Sequence, residues 1–235
     1  MASIYLIRHG QASFGAENYD QLSPLGQRQA DLTGQYLEKI GLTIDVAYSG
    51  TLSRQRETAE RVMEGLGFGE PILTDERFNE VDNDEQVRAL LPGLSAGDEA
   101  LAEIAGRGMK SSKDYQKIIA AVFKAWVHPD CAAPGITPWP NYRDGVEAAL
   151  SNIIATVGSG KNTAVFTSGG TIATAVGLVT GAAHSGFYQF YEPVMNCSIT
   201  RLIYSGSRIS LSNFNDSAHL ALLGAQLGES LLTYR

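Results

Sequence analysis

Ser3-Ile4-Tyr5-Leu6-Ile7-Arg8-His9-Gly10 is a short, nearly continuous apolar run that stops at three residues of quite different chemistry. A run of β-formers without polar alternation predicts a strand buried on both faces, as in a parallel α/β sheet. Ligands of open α/β sheets bind beyond the carboxyl ends of the strands, which is where Arg8, His9 and Gly10 stand. A neutral imidazole there can act as a nucleophile, the adjacent guanidinium offers a planar fork to an anion, and glycine lets backbone pass close to a ligand. Taken alone, the tripeptide reads better as a strand-end histidine beside a surface arginine, since three residues are a weak signal.

Outward from this strand the pattern alternates. Ser23-Pro24 opens a helix, since Ser is a good N-cap and Pro suits the first turn, and its apolar stripe runs from Leu25 to Ile40 before Gly41. Asp45–Ser49 is a second strand, about Thr51–Leu66 a second helix and Pro71–Thr74 a third strand. This β-α-β-α-β order predicts a sheet with crossover helices. From about Asp84 to Asn141 the apolar spacing is helical, with glycine and proline interruptions and no strand. A helix near Asp144–Thr156, a strand Thr163–Thr167, a helix from Thr171, and a hairpin of Ser198–Tyr204 and Arg208–Phe214 around Gly206 follow. The expectation is one three-layer α/β domain over residues 1–235, a mainly parallel sheet flanked by helices, with a helical cap inserted at about 84–141.

The composition limits the partners. The chain has 235 residues and a formal net charge of −7, which argues against nucleic acid or an anionic membrane as the main partner. A local arginine cluster could still hold a small anion. No apolar run approaches the ~20 residues of a membrane span, and Met1–Gly10 lacks the features of a signal peptide. Cys131 and Cys197 form no C-x-x-C pair, and the reducing cytoplasm is the expected compartment. His128, His184 and His219 have no metal-ligand spacing and are expected to be structural or solvent-facing. Neither a metal nor a cofactor is expected; the oligomeric state is left open.

Three segments in order carry a resemblance: Arg8-His9-Gly10; Leu22-Ser23-Pro24-Leu25-Gly26-Gln27-Arg28-Gln29-Ala30; and Ser49-Gly50-Thr51-Leu52-Ser53-Arg54-Gln55-Arg56-Glu57-Thr58-Ala59. The chain resembles the histidine phosphatase superfamily, the phosphoglycerate mutase-like family. The resemblance implies a metal-independent phosphomonoester hydrolase working through a phosphohistidine. The alternatives are a mutase that returns the phosphoryl group to a bound intermediate, or a weakened or inactive phosphate-binding member. The partner implied is a small phosphorylated substrate or inorganic phosphate. His9 is the implied nucleophile, Arg8 and Arg54 the phosphate clamps, and Glu80, in Arg77-Phe78-Asn79-Glu80-Val81-Asp82, the general acid. Asp82, Asp84 and Glu85 read as a solvated acidic loop, and Arg56 as a surface charge.

The chain departs from the family where a second histidine is usual. Thr167-Ser168-Gly169-Gly170 puts Ser168 there, and a hydroxyl donates a hydrogen bond without carrying positive charge. Loss of one such donor commonly costs ~10²–10³ in rate. Ser168 and Gly169 are still expected at the phosphate. Gly15 stands where many members carry Asn. Lys110, Lys113 and Arg107 read as a solvated helix face, which ranks a phosphatase above a mutase.

Overall fold

A computed structural model describes residues 1–13, 20–183 and 186–234. Among these residues, six strands form one sheet: β1 (Ala2–Arg8), β2 (Val46–Ser49), β3 (Leu73–Thr74), β4 (Asn162–Thr167), β5 (Ile199–Ser205) and β6 (Arg208–Asp216), in the order β3-β2-β4-β1-β5-β6. The pairs β3–β2, β2–β4 and β4–β1 are parallel, whereas β1–β5 and β5–β6 are antiparallel. The hairpin read around Gly206 thus extends a parallel sheet by an antiparallel edge. β1 and β4 are central and in register, with Arg8 opposite Thr167. Their carboxyl ends therefore bring residues 9 and 168 side by side.

Period-2 geometry sorts the β1 side chains onto two faces. Ile4 and Leu6 join Val165, Leu202, Ile172 and Val176 in one core, and Ile7 joins Ala164, Phe166, Val62, Met63 and Leu220 in the other. Among the described residues, helices α1 (Pro24–Lys39), α2 (Ser53–Gly65) and α9 (Ala218–Leu227) supply the second face, and α6 (Trp139–Val157) and α7 (Gly169–Thr180) the first. The Ser23 side chain caps α1 by accepting the Gly26 N–H.

Helices α3 (Asn83–Ser95), α4 (Glu99–Arg107) and α5 (Ser112–Trp126) occupy most of the segment read as helical. Their own small core of Leu101, Ile104, Ile118 and Val122 is continued by an aromatic cluster of Phe123, Trp126, Trp139 and Tyr188. The structure corrects the end of that segment. α6 begins at Trp139, not near Asp144, because Pro138 can serve as an N-cap and Pro140 falls in the first turn, where a missing N–H costs nothing. The short helix α8 (Phe187–Tyr191) lies in what reads from sequence only as an aromatic run. Two residues are all that pair in β3, and a turn of 3₁₀ helix at Glu76–Phe78 follows it.

Candidate active site

His9 leaves β1 still tied to the sheet. Its N–H donates to the Thr167 carbonyl at 2.9 Å and its carbonyl accepts from Asn196 Nδ2 at 3.0 Å. The loop beyond is fixed by the motif residues. Gly10 N–H donates to Thr58 Oγ1 at 3.0 Å, and Gln11 N–H to Gln29 Oε1 at 2.9 Å. Gly26 allows α1 to approach this loop, since a Cβ there would lie 2.1 Å from the Gln11 carbonyl oxygen. Gln29, Gly26 and Thr58, which stand in the sequence motifs without an evident task, hold the loop that carries His9.

The imidazole is almost fully buried, and its Nδ1 lies 2.7 Å from the Gly10 carbonyl oxygen. A carbonyl accepts only, so Nδ1 carries the proton. Nε2 then keeps its lone pair, and Arg54 Nε donates to it at 3.3 Å. Burial, and then the Arg54 and Arg8 charges, hold the imidazole well below its usual pKa. It is neutral at neutral pH.

Arg54 enters from the first turn of α2. It is anchored by Asp20, whose Oδ1 lies 2.6 Å from Arg54 Nη1 and whose Oδ2 accepts the Ser53 N–H at 2.7 Å. Asp20 lies outside the sequence motifs, and nothing in the sequence marks it as a partner of Arg54. Arg8 Nη1 donates to the Val194 carbonyl. Arg56 is exposed.

Glu80 arrives by a different route. Phe78 is pinned above β4 by Thr167 Oγ1, which donates to its carbonyl at 2.6 Å. Two residues on, the Glu80 carboxylate accepts the Gly170 N–H at 3.0 and 3.2 Å and the Val81 N–H at 3.2 Å. It therefore sits at the start of α7. Burial raises its pKa against the opposing pull of these N–H groups and of Arg54 and Arg8. Asp82, a competitor in sequence, caps α3 by accepting the Glu85 N–H.

Arg8, His9, Arg54 and Glu80 line one cavity of ≈ 270 Å³. Gly169 borders an adjoining cavity that shares Arg8. Ser168 lies in neither lining. It is fully buried, and its Oγ accepts from Gln55 Nε2 at 2.8 Å, while Gln55 also donates to the Phe78 carbonyl at 3.0 Å. Gly15 and His184 lie outside the described residues. His219 is buried against Thr33 and Tyr36, away from this cavity, and His128 is exposed. Among the described residues no cluster of His, Cys, Asp or Glu has the form of a metal site.

Residues 4–87 and 96–217 match the family model described as the Histidine phosphatase superfamily (branch 1). A 2,3-bisphosphoglycerate-dependent phosphoglycerate mutase of Parvibaculum lavamentivorans is 37% identical over 86 residues, which are 34% of this chain and 41% of that protein. The Bartonella quintana mutase is 31% identical over 87 residues, covering 34% and 42%. The chain thus matches about two-fifths of the length of these curated relatives. Among solved structures, a phosphoglycerate mutase from Bacillus anthracis superposes with a TM-score of 0.66 at 20% identity, over 94% of this chain and 95% of that one. A phosphoserine phosphatase from Entamoeba histolytica, solved with 3-phosphoglyceric acid, superposes with a TM-score of 0.65 at 18% identity, over 94% and 100%. At those identities the superpositions establish the fold.

Proposed function

We propose that this chain, which belongs to the histidine phosphatase superfamily, hydrolyses phosphomonoesters through a phosphohistidine formed on His9. The observation that carries the reading is the state of the imidazole: Nδ1–H spent on Gly10, Nε2 unprotonated beside Arg54, and a pKa held low by burial. Nε2 attacks phosphorus as the ester P–O bond breaks. Glu80, kept protonated to higher pH than an ordinary carboxyl by its burial, gives its proton to the leaving alcohol oxygen. Water then attacks the phosphohistidine while Glu80 takes a proton back, and the P–N bond breaks to release phosphate. Arg8 and Arg54 stabilise the equatorial oxygens.

The Gly169 N–H is assigned a remaining phosphoryl contact. Ser168, expected there from the sequence, lies buried behind the cavity wall with Gln55 on its Oγ, so no imidazolium takes the place of the second histidine. Without a second imidazolium, turnover should fall below that of a site with one, by about 10²–10³. A phosphoglycerate mutase activity is the second reading, motivated by the names of the relatives. Helices α3–α5 act in either case as a cap over the site. No helix among the described residues is long and apolar enough to cross a membrane. Cys131 and Cys197 are free thiols, in keeping with a reducing cytoplasm.

Brief exposure to a radiolabelled phosphomonoester, followed by a quench that preserves phosphohistidine, should trap label on the wild type and none on His9→Ala. Label retained on His9→Ala would sink the mechanism. Product analysis separates water from an alcohol as final acceptor.

A further inference from the structure

Beside the catalytic cavity lies a larger one of ≈ 690 Å³ that shares Arg8, Tyr115 and Tyr191 with it. A phosphoryl group at His9 has its ester substituent within reach of this space, and the volume is that of a pocket for a whole small molecule. The chemistry of its wall is unlike that of the phosphate site. Four rings face it, Tyr115, Tyr188, Tyr191 and Tyr234, together with the Gln116 amide and the Glu192 carboxylate. Tyr191 is stacked on Phe123, centroids 5.0 Å apart and planes within 10°, so its ring is a fixed surface. Gln116 Nε2 donates to Glu192 Oε1 at 2.9 Å, which holds the carboxylate in place.

Positive charge is scarce here. Among the described residues, Arg8 is the one Lys or Arg on this wall, and Arg8 and Arg54 are the only two on both cavities. Lys124 rides over the Tyr188 ring at 5.3 Å but is not part of the lining. Residues 14–19 contain no Lys or Arg, and Arg235 lies outside the described residues. A second anionic group on a substrate would meet Glu192, with Asp82 and Asp84 on the adjoining wall, and no cation beyond the pair already on the phosphate. An uncharged ring would meet tyrosine side chains, and its polar substituents would meet an amide and a carboxylate.

We propose that this cavity is the leaving-group pocket, that it selects phosphomonoesters of uncharged, ring-bearing alcohols, and that Glu192 rejects substrates with a second anionic group. The inference rests on the phosphoryl-transfer reading above and names the substrate class for it. It also favours water as acceptor, because a mutase must hold an intermediate with a second anion.

The test compares kcat/KM for para-carbamoylbenzyl phosphate and para-carboxybenzyl phosphate, which match in shape and differ by one charge. The amide ester should lead by about tenfold or more at low salt, and the ratio should shrink as salt screens the exposed Glu192. Glu192→Gln should bring the ratio toward one by raising kcat/KM for the carboxylate ester. Benzyl phosphate should exceed ethyl phosphate in both proteins. Equal values for the charged pair overturn the proposal, as does a preference for the carboxylate ester, including one that disappears in Arg235→Ala. If neither ester releases phosphate and no phosphoenzyme forms, it is the transfer reading that falls. Calorimetric Kd values for the matching benzylphosphonates then decide the pocket's preference by the same ranking.

Discussion

At the scale of single residues, the site divides into groups whose chemistry shows in the sequence and groups that matter only because of what they touch. His9, Arg8 and Arg54 stand in short ordered motifs, and the fold brings them to one cavity. Gln55 and Asp20 show no such sign. Gln55 meets Ser168 across 113 positions of chain, and Asp20 reaches Arg54 across 34, so nothing local marks either contact. Arg54→Ala should weaken inorganic phosphate binding by about 1.5–3 kcal/mol, the range for hydrogen bonds to a charged group, with Arg56→Ala near wild type. Equal calorimetric affinities for wild type and Arg54→Ala would remove Arg54 from the site. Ser168 is where the buried partner changes the expectation. From the sequence, Ser168→His either adds a cationic donor or meets a shell adapted to serine. In the structure both Ser168 and Gln55 are fully buried and bonded to each other, so the ring has no space. Ser168→His alone should cost about 1–3 kcal/mol of stability by overpacking. Combined with Gln55→Ala, which returns roughly the same volume, it should recover stability and raise turnover about tenfold, a gain fading as pH exceeds the new imidazole's pKa. Wild-type stability in the single variant, measured by urea unfolding, would show that Gln55 does not fill that space.

Among elements, the strands ending at residues 8 and 167 are legible because their apolar runs are unambiguous, whereas the helix after the second is read from Thr171 and begins at Gly169. β3, α8 and the start of α6 are less legible. β3 pairs through two residues only, α8 is a single short stretch within an aromatic run, and the Pro-rich lead into α6 hides a helix start that proline tolerates. The junction that matters most joins two elements distant in sequence, the segment after β3 and the N-terminus of α7. Gly170 makes it possible. A Cβ there would sit 2.2 Å from Glu80 Oε1, and the carboxylate, the end of a flexible side chain, would have to leave. Gly170→Ala should therefore fold yet behave like Glu80→Gln. Turnover of an alkyl phosphate, whose leaving oxygen needs a proton, should fall about 100-fold or more. para-Nitrophenyl phosphate, whose leaving group departs without one, should be nearly spared. Unchanged turnover of the alkyl ester in Gly170→Ala would separate Glu80 from leaving-group protonation.

Over the whole molecule, stability depends on buried histidines as well as on the two faces of the sheet. α9 has no counterpart in the sequence reading, although Ser217 and Gly228 stand at its two caps. It docks on α1 through His219, which stacks on Tyr36 at 4.7 Å. Thr33 Oγ1 donates to the Gln29 carbonyl at 2.8 Å, so His219 Nε2–H must be the donor to Thr33 at 3.0 Å. Nδ1 is then a buried acceptor without a partner, and burial pulls the pKa down to about 4. The unfolded chain, with a histidine near 6.5, binds more protons than the folded one between pH 6.5 and 4. Stability from this group is complete above pH 6.5 and is lost as pH falls to 4, about 3 kcal/mol in all. His9, also depressed, acts in the same direction. Glu80, raised above 4.5, acts oppositely just above that value, since there the folded state binds the extra proton. The wild type alone therefore reports a mixture. Subtracting His219→Gln, which can still donate to Thr33, isolates the His219 contribution. In urea unfolding across pH 7 to 4, the stability advantage of wild type over His219→Gln should decline by about 3 kcal/mol, with the loss confined to the window between the two pKa values. A difference that stays flat across that window would mean that His219 is not buried in its neutral form, and that the α9–α1 contact does not rest on it.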